Sequence, residues 1–308
     1  MSKTYLVLGG NGALGSRVVS RLSQENRVVV LDINGSVNQK LNENIAFHKV
    51  DFVLIENFES YLLDVDVVVH LICTTVPECG VDNIEHELEH NVNPTIRLLN
   101  SMKRSTANKI IFISSGGTIY GEWRGRPFKE DDIASPICKY GLLKLMIERY
   151  LELFRYYEGI NYRVMRIGNI YSSKVKTLHY QGFVPILIDA VLKNSSVNVW
   201  GDGNSVRDFI HIDDVVEAFL AVDAYAGDEN IFNVATGVGY SINQVITTVI
   251  DLLGVCYPKI NYTPARICDV RKNILDIARI ASCTGWRPLI SIENGIERCI
   301  KEKMAYLG

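Results

Sequence analysis

Short apolar runs alternate with helix-like segments along the first 115 residues. Tyr5–Leu8, Arg27–Asp32, Asp66–Cys73 and Lys109–Ser114 are each too short for a helix, and each is continuous rather than alternating. Continuous runs of this kind are what parallel strands covered on both faces require. The first two are separated by a helical pattern over Gly15–Gln24, so the segment reads as βαβ units. From Tyr140 to Tyr157 the apolar residues fall at helical spacing. Leu142, Leu143, Met146, Ile147, Tyr150, Leu151 and Phe154 form one broad stripe. Arg163–Ile170 reads as a further strand. Beyond it the pattern loosens into loops at 180–185 and 201–203, and helical patterns begin near Asp213, Ser241 and Ser291. The expectation is an α/β fold in two parts. A doubly wound parallel sheet covers 1–170, with segments near 205–235 free to return to it. A smaller C-terminal α/β cap covers 171–308.

Composition narrows the function classes. The chain has 308 residues, 47% of them hydrophobic, with 32 basic and 35 acidic side chains mixed along it. A net charge of -3 gives no footprint for nucleic acid. No apolar run approaches the roughly 18 residues that cross a bilayer. The start of the chain lacks the apolar core and cleavage site of a secretion signal, so a cytoplasmic location is expected. Seven cysteines without CxxC spacing argue for reduced thiols rather than a disulfide framework or a cysteine-built zinc site.

The first strand runs directly into Gly9-Gly10-Asn11-Gly12-Ala13-Leu14-Gly15. The glycines read as GxxGxxG (Gly9, Gly12, Gly15) or as GxGxxG (Gly10, Gly12, Gly15). Strand before, helix after, and Asp32 at the end of the second strand supply the context of a Rossmann-type dinucleotide loop. Bare backbone lets N–H groups approach a pyrophosphate, and the helix N-terminus adds partial positive charge. The Asp32 carboxylate can take both ribose hydroxyls and would repel a 2′-phosphate, which favours NAD over NADP. A second signal is Tyr140-Gly141-Leu142-Leu143-Lys144, with Tyr140 and Lys144 on one helix face. A phenol near pKa 10 is a poor base at pH 7. An ammonium one turn away, with a positive nicotinamide ring, would favour the phenolate.

With these two signals the chain resembles the extended short-chain dehydrogenase/reductase family, in particular NAD-dependent nucleotide-sugar epimerases of the UDP-galactose 4-epimerase type. The resemblance continues through Val67–Leu71, Ser114–Gly121, Arg166–Tyr171, Gly201–Gly203 with Arg207–Val215, Phe232–Val234, Arg266 with Asp269, and Gly285-Trp286. It implies Tyr140 as the base and Lys144 as the residue that holds the ribose and biases the phenol. It implies a cofactor set of Gly9, Gly12, Ala13, Leu14, Gly15, Asp32, Asp51, Phe52, Leu71 and Lys144. For the substrate it implies Asn169 near the diphosphate, Arg207 and Arg266 neutralising it, Asp269 by the nucleotide ribose, and Gly182–Val184 against the base.

Two departures bear on the chemistry. Many relatives carry a catalytic Ser or Thr where this chain has Gly116, so the hydroxyl partner must be Thr118 or Ser115, or be missing. Related dehydratases carry an Asp-Glu pair at 117 and 118; here Gly117-Thr118 offers no acid to a leaving hydroxyl. At Asn273, relatives restricted to glucose and galactose tend to have a bulky Tyr, so an N-acetylated sugar is expected to fit. The reading is a UDP-hexose 4-epimerase (UDP-GlcNAc/UDP-GalNAc or UDP-Glc/UDP-Gal) working through a 4-keto sugar. Another nucleotide-sugar enzyme on the same scaffold (reductase, decarboxylase or dehydratase) and a non-catalytic NAD-binding sensor are the alternatives.

His86-Glu87-Leu88-Glu89-His90 matches HExxH, a zinc pattern, but inside a dinucleotide domain it reads as the solvated polar face of a helix, and no metal is expected. His211 sits in an apolar run and reads as structural. Trp200 and Trp286 read as packing in the cap. The resemblance also implies a homodimer formed through the Tyr140 helix and the one before it.

Overall fold

The structure, a computed structural model, describes residues 2–35, 42–75, 80, 82–173, 182–255 and 258–307. The chain forms two compact units. The first comprises Met1–Ser115, Cys138–Met165 and Val222–Phe232; the second comprises Gly116–Ile137, Arg166–Ala221 and Asn233–Gly308. One break lies close to residue 170, but a single boundary does not describe the chain. Neighbours in a parallel sheet come from distant stretches of sequence, so a compact unit need not be contiguous.

Seven strands build the sheet of the first unit, numbered here in chain order. They are β1 (Thr4–Leu8), β2 (Arg27–Asp32), β3 (Ile45–Lys49), β4 (Val67–His70), β5 (Lys109–Ser115), β6 (Asn161–Ile167) and β10 (Ile231–Val234). Their order is β10-β6-β5-β4-β1-β2-β3, and each pairing from β3 to β5 is parallel. The order reverses between β1 and β4, the switch point where doubly wound sheets bind ligands. The edge strand β3 has no fully buried residue, which is why its apolar pattern is weak.

The α-helices described in this unit are α1 (Ala13–Leu22), α2 (Ile84–Glu87), α3 (Asn93–Met102) and α5 (Lys139–Glu158). A π-helical turn, Leu88–Val92, joins α2 to α3. The stripe on α5 is divided. Leu143, Ile147 and Leu151, one helical turn apart, enter the core with Leu6, Val68 and Phe112, whereas Leu142 faces outward. Gly159 ends α5 at φ +72°, a left-handed cap that a side chain would oppose.

The second unit contains α4 (Gly116–Ile119), β7 (Asn169–Tyr171), α6 (Phe183–Leu192), β8 (Val197–Trp200) and β9 (Val206–His211). It continues with β11 (Gly239–Ser241), α8 (Ile242–Leu253), β12 (Ile260–Thr263), β13 (Lys272–Asn273), α9 (Ala278–Thr284) and α10 (Ile292–Leu307); the helix α7 (Ile212–Ala224) begins within it. The expected loop at 180–185 is partly outside the described residues, and its later part is the first turn of α6. Strand β9 is the hub: β11 pairs with it antiparallel, β7 and β13 parallel. Helix α8 opens with a reciprocal capping box between Ser241 and Gln244. Val184, Leu187, Phe209, Val245 and Ile296 share its core.

The expectations for Trp200 and for one cysteine are corrected. Trp286 is buried, but Trp200 is half exposed, because β8 alternates buried and exposed positions and Trp200 takes an outward one. Cys73, Cys138, Cys283 and Cys299 are reduced thiols, while Cys268 is disulfide-bonded. His211 is buried, edge-on to Tyr171, and accepts the Asp213 N–H at Nδ1. No described helix is long and apolar enough to cross a membrane.

Candidate active site

The first unit builds a loop that only bare backbone can form. Gly9 sits at φ +82°, and a Cβ on Gly15 would lie 2.1 Å from the Gly9 carbonyl oxygen. The loop thus packs against itself at Gly15, the close approach between strand and helix that a dinucleotide loop needs. Helix α1 starts at Gly12 with no side-chain cap and no acidic residue in its first turn. Its N–H groups and dipole are left for an external anion. Ala13 is exposed and Leu14 half-buried beside it. The Asp32 carboxylate, buried at the end of β2, accepts the Asn11 N–H at 2.9 Å and the Asn34 N–H at 2.9 Å. The Asn11 bond ties it to the glycine loop. Asp51 caps a short 3₁₀ turn by accepting the Val53 N–H. The Phe52 ring is spent on the core, against Phe58 and His70, so only its backbone remains for a ligand. Leu71 continues β4 by bonding the Leu8 carbonyl. These residues fit an NAD pyrophosphate and ribose.

Tyr140 lies in the first turn of α5, partly buried, and Lys144 lies one turn on, buried. The Lys144 ammonium donates to the Ile113 carbonyl at 2.9 Å and stands 5.6 Å from the centre of the Tyr140 ring. Among the chain's own groups, however, the balance on the phenol is upward. Burial raises its pKa most, followed by the negative charges available to Cys73, Cys138 and Glu87. The expected lowering therefore needs positive charge beyond what this surrounding supplies.

Pattern reading missed the groups that surround Tyr140. Glu87, the glutamate of the HExxH match, is not on a solvated face: it is buried and accepts the Thr75 hydroxyl at 2.7 Å. Asn91, in the π-helical turn, accepts the Thr74 N–H and donates to the Thr74 hydroxyl. Both clamp the loop that follows β4. The His86 and His90 rings stack with centres 3.7 Å apart, and no metal-binding cluster occurs among the described residues. The extra residue of a π turn shifts which side chains face inward, and a 3.6-residue period cannot show that. Cys138 caps α5 by accepting the Gly141 N–H at Sγ. Below the loop, burial and then the Lys144 charge push His70 down to about 3, so the imidazole is neutral.

The second unit holds Thr118 and the predicted substrate residues. The Thr118 hydroxyl oxygen is buried without a hydrogen-bond partner among the described residues. Ser115 ends β5 in the first unit, half-buried. The reason for Gly116 is now physical: a Cβ there would lie 2.4 Å from Leu275 Cδ1. Leu275 is wholly buried, so it fills the space a serine would need. Asn273 is also buried; its Nδ2 donates to the Gly116 carbonyl at 3.0 Å, and its Oδ1 has no partner among the described residues.

Arg266 grips Asp269 with two parallel bonds of 2.8 and 2.9 Å, and Arg207 approaches the same carboxylate at 4.0 Å. Burial pushes the Arg207 pKa down; Asp269 opposes that and Arg266 adds to it. Two guanidiniums share one carboxylate, which leaves a net positive cluster suited to an anion. The Arg266 guanidinium also lies 5.5 Å from the Trp200 ring centre. Asn169, at the start of β7, is half-buried. Val184 is wholly buried in the core of its unit.

Comparison with known proteins places the chain in a family. A protein of Methanocaldococcus jannaschii, provisionally assigned as a UDP-glucose 4-epimerase, is 33% identical over 301 residues, covering 96% of each chain. An Escherichia coli dTDP-4-dehydro-6-deoxyglucose reductase is 29% identical, again over 96% of each chain. The crystal structure of the Thermotoga maritima UDP-glucose 4-epimerase with UDP-glucose superposes with a TM-score of 0.91 at 33% identity, covering 99% of this chain and 100% of that one. The model of the NAD dependent epimerase/dehydratase family matches residues 5–235, and the chain belongs to that family.

Proposed function

We propose that this protein is a UDP-hexose 4-epimerase with Tyr140 as its base. The observation that carries the reading is the Tyr140–Lys144 pair: phenol and ammonium one helical turn apart, with the ammonium fixed to the Ile113 carbonyl. Tyr140 takes the proton of the sugar C4 hydroxyl and later returns it. Lys144 holds positive charge beside the phenol and takes the cofactor ribose. Thr118, whose hydroxyl has no partner among the described residues, relays or steadies that proton. NAD, when bound, supplies the exchange of hydride with C4 that passes through a 4-keto sugar. Gly9, Gly12 and Gly15 hold the pyrophosphate, and Asp32 holds the adenosine ribose. Arg207 and Arg266 neutralise the substrate diphosphate, with Asn169 beside it. Asp269 keeps Arg266 in place and has lone pairs left for the nucleotide ribose.

No carboxylate stands at 117 or 118, which disfavours elimination of water. Asn273, smaller than the Tyr of glucose-restricted relatives, turns its amide onto Gly116, and this supports acceptance of an N-acetylated sugar. UDP-GlcNAc should therefore turn over; turnover of UDP-glucose alone would refute that part. Tyr140→Phe should abolish turnover while NAD stays bound, and wild-type-like turnover would refute the base assignment. The E. coli relative favours a second reading, a nucleotide-sugar reductase. Such an enzyme would consume reduced cofactor one for one with product. The outward face of α5 carries Leu142, Leu153, Tyr156 and Tyr157, which supports a homodimer; a monomeric mass in solution would refute it.

A further inference from the structure

The first unit carries a second polar concavity, far from the glycine loop. It encloses about 270 Å³ and is lined by Asn108, Lys109, Arg155, Asn161, Arg163 and the turn 225–228. Lys109 and Asn161 open β5 and β6, so the concavity lies at the N-terminal end of the sheet. The seven residues of β5 span roughly 20 Å at ~3.3 Å per residue. Ser115 is at the other end of that strand, the same end from which the glycine loop leaves β1.

The charges in this concavity do not balance. Lys109 is compensated by Asp223, whose carboxylate it meets at 2.9 Å. Arg163 is not. It is 8% exposed, and its guanidinium donates to Tyr162 O, Asn230 Oδ1, Gly227 O and, at 3.5 Å, Tyr225 O, all neutral acceptors. Its Nε–H is buried with no partner among the described residues. The Tyr225 ring lies 5.5 Å from its guanidinium carbon. Arg155 donates to the same Asn230 oxygen. Two guanidiniums thus converge on one neutral amide, and neither forms an ion pair with a carboxylate among the described residues. Burial lowers the Arg163 pKa, and the Arg155 charge lowers it further; the exposed Asp228 at the mouth acts weakly in the opposite sense. A buried cation held only by neutral acceptors is unfavourable, and an anion set between two guanidinium forks removes the imbalance.

We propose that Arg155 and Arg163 form a binding site for a small phosphate-class oxyanion, separate from the cofactor loop and from the Arg207–Arg266 cluster. Guanidinium forks suit the oxygen spacing of a phosphate. The volume admits inorganic phosphate or a small phosphate ester and lies below the range of ordinary ligand pockets.

The test is equilibrium dialysis of radiolabelled inorganic phosphate against the full chain, with NAD and UDP present in excess and ionic strength held constant with chloride. One phosphate should bind per chain. Arg155→Gln, at a partly exposed residue, should weaken binding at least tenfold, whereas Arg207→Gln should leave it intact. Asp228→Asn removes the carboxylate at the mouth and should tighten binding about threefold, which keeps the proposal decidable should Arg155→Gln fold poorly. Glycerol 3-phosphate that displaces the label better than sulfate would identify an ester as the ligand; sulfate and phosphate competing alone would identify the free oxyanion. Either supports the site. Absence of saturable binding, indifference to Arg155→Gln in a folded variant, or indifference to Asp228→Asn would overturn it.

Discussion

Thr118→Val should separate stability from activity with opposite signs. The Thr118 oxygen is buried and has no hydrogen-bond partner among the described residues. A buried hydroxyl left unsatisfied costs ~1–3 kcal/mol, and its replacement by an apolar group of the same shape is neutral or stabilising. The variant should therefore match the wild type in urea or gain up to ~1 kcal/mol. Turnover should move the other way. A hydroxyl that steadies charge in the transition state is worth about 10²–10³ in kcat, or ~3–4 kcal/mol. Thr118→Ser keeps the hydroxyl and should stay within about tenfold of the wild type. The assay pairs urea midpoints with initial rates of sugar-nucleotide interconversion. A Val variant that turns over as the wild type does would refute the role. A Val variant that loses more than ~1 kcal/mol would show the hydroxyl to be paired in the folded protein.

Three further outcomes follow from the geometry. Gly116→Ser places a Cβ 2.4 Å from Leu275 Cδ1 and should cost ~1–3 kcal/mol by overpacking; adding Leu275→Ala should make the two effects non-additive in a double-mutant cycle, and simple additivity would contradict the contact. The Asp208 carboxylate, buried and pushed up to about 6 by burial, accepts from Thr236 N and Oγ1, Gly237 N and Leu275 N. Asp208→Asn turns an NH₂ toward two of these donors and should lose ~2–4 kcal/mol in urea unfolding, a loss under ~0.5 kcal/mol counting against the bracket. His70 keeps its proton on Nε2, because the Thr95 hydroxyl donates to the Asn91 carbonyl and must accept from the ring. With the His70 folded pKa near 3 and an unfolded value near 6.5, the unfolded state takes the proton first, so stability falls as pH drops from 6.5 toward 3, by ~2 kcal/mol at pH 5. Nitrogen NMR should find the neutral ring at pH 5; a charged His70 there would contradict the burial.

What the sequence made legible was local. The β1–glycine–α1 turn, Asp32 at the end of β2, and Tyr140 with Lys144 on α5 each depend on residues within about 25 positions, so spacing alone could place them. What it hid depends on contacts between distant residues. Gly116 looked like a missing catalytic hydroxyl until Leu275 was found in its space. Glu87 looked solvated because a regular helix was assumed, and the π-helical turn after it changes which residues face inward. Asp208 in β9 joins the Thr236 turn to Leu275, a bracket no periodicity signals.

The central claim is epimerisation with resident NAD, and sugar-nucleotide chromatography tests it most directly. Purified protein without added cofactor would be incubated separately with UDP-GlcNAc and UDP-GalNAc, and separately with UDP-glucose and UDP-galactose. The account predicts that at least one pair converges from both directions on the same fixed ratio of two peaks of equal mass, and that the GlcNAc pair is among them. Failure of every pair to interconvert, in protein that contains NAD, or a product that forms only as added NADH or NADPH is consumed, would contradict it.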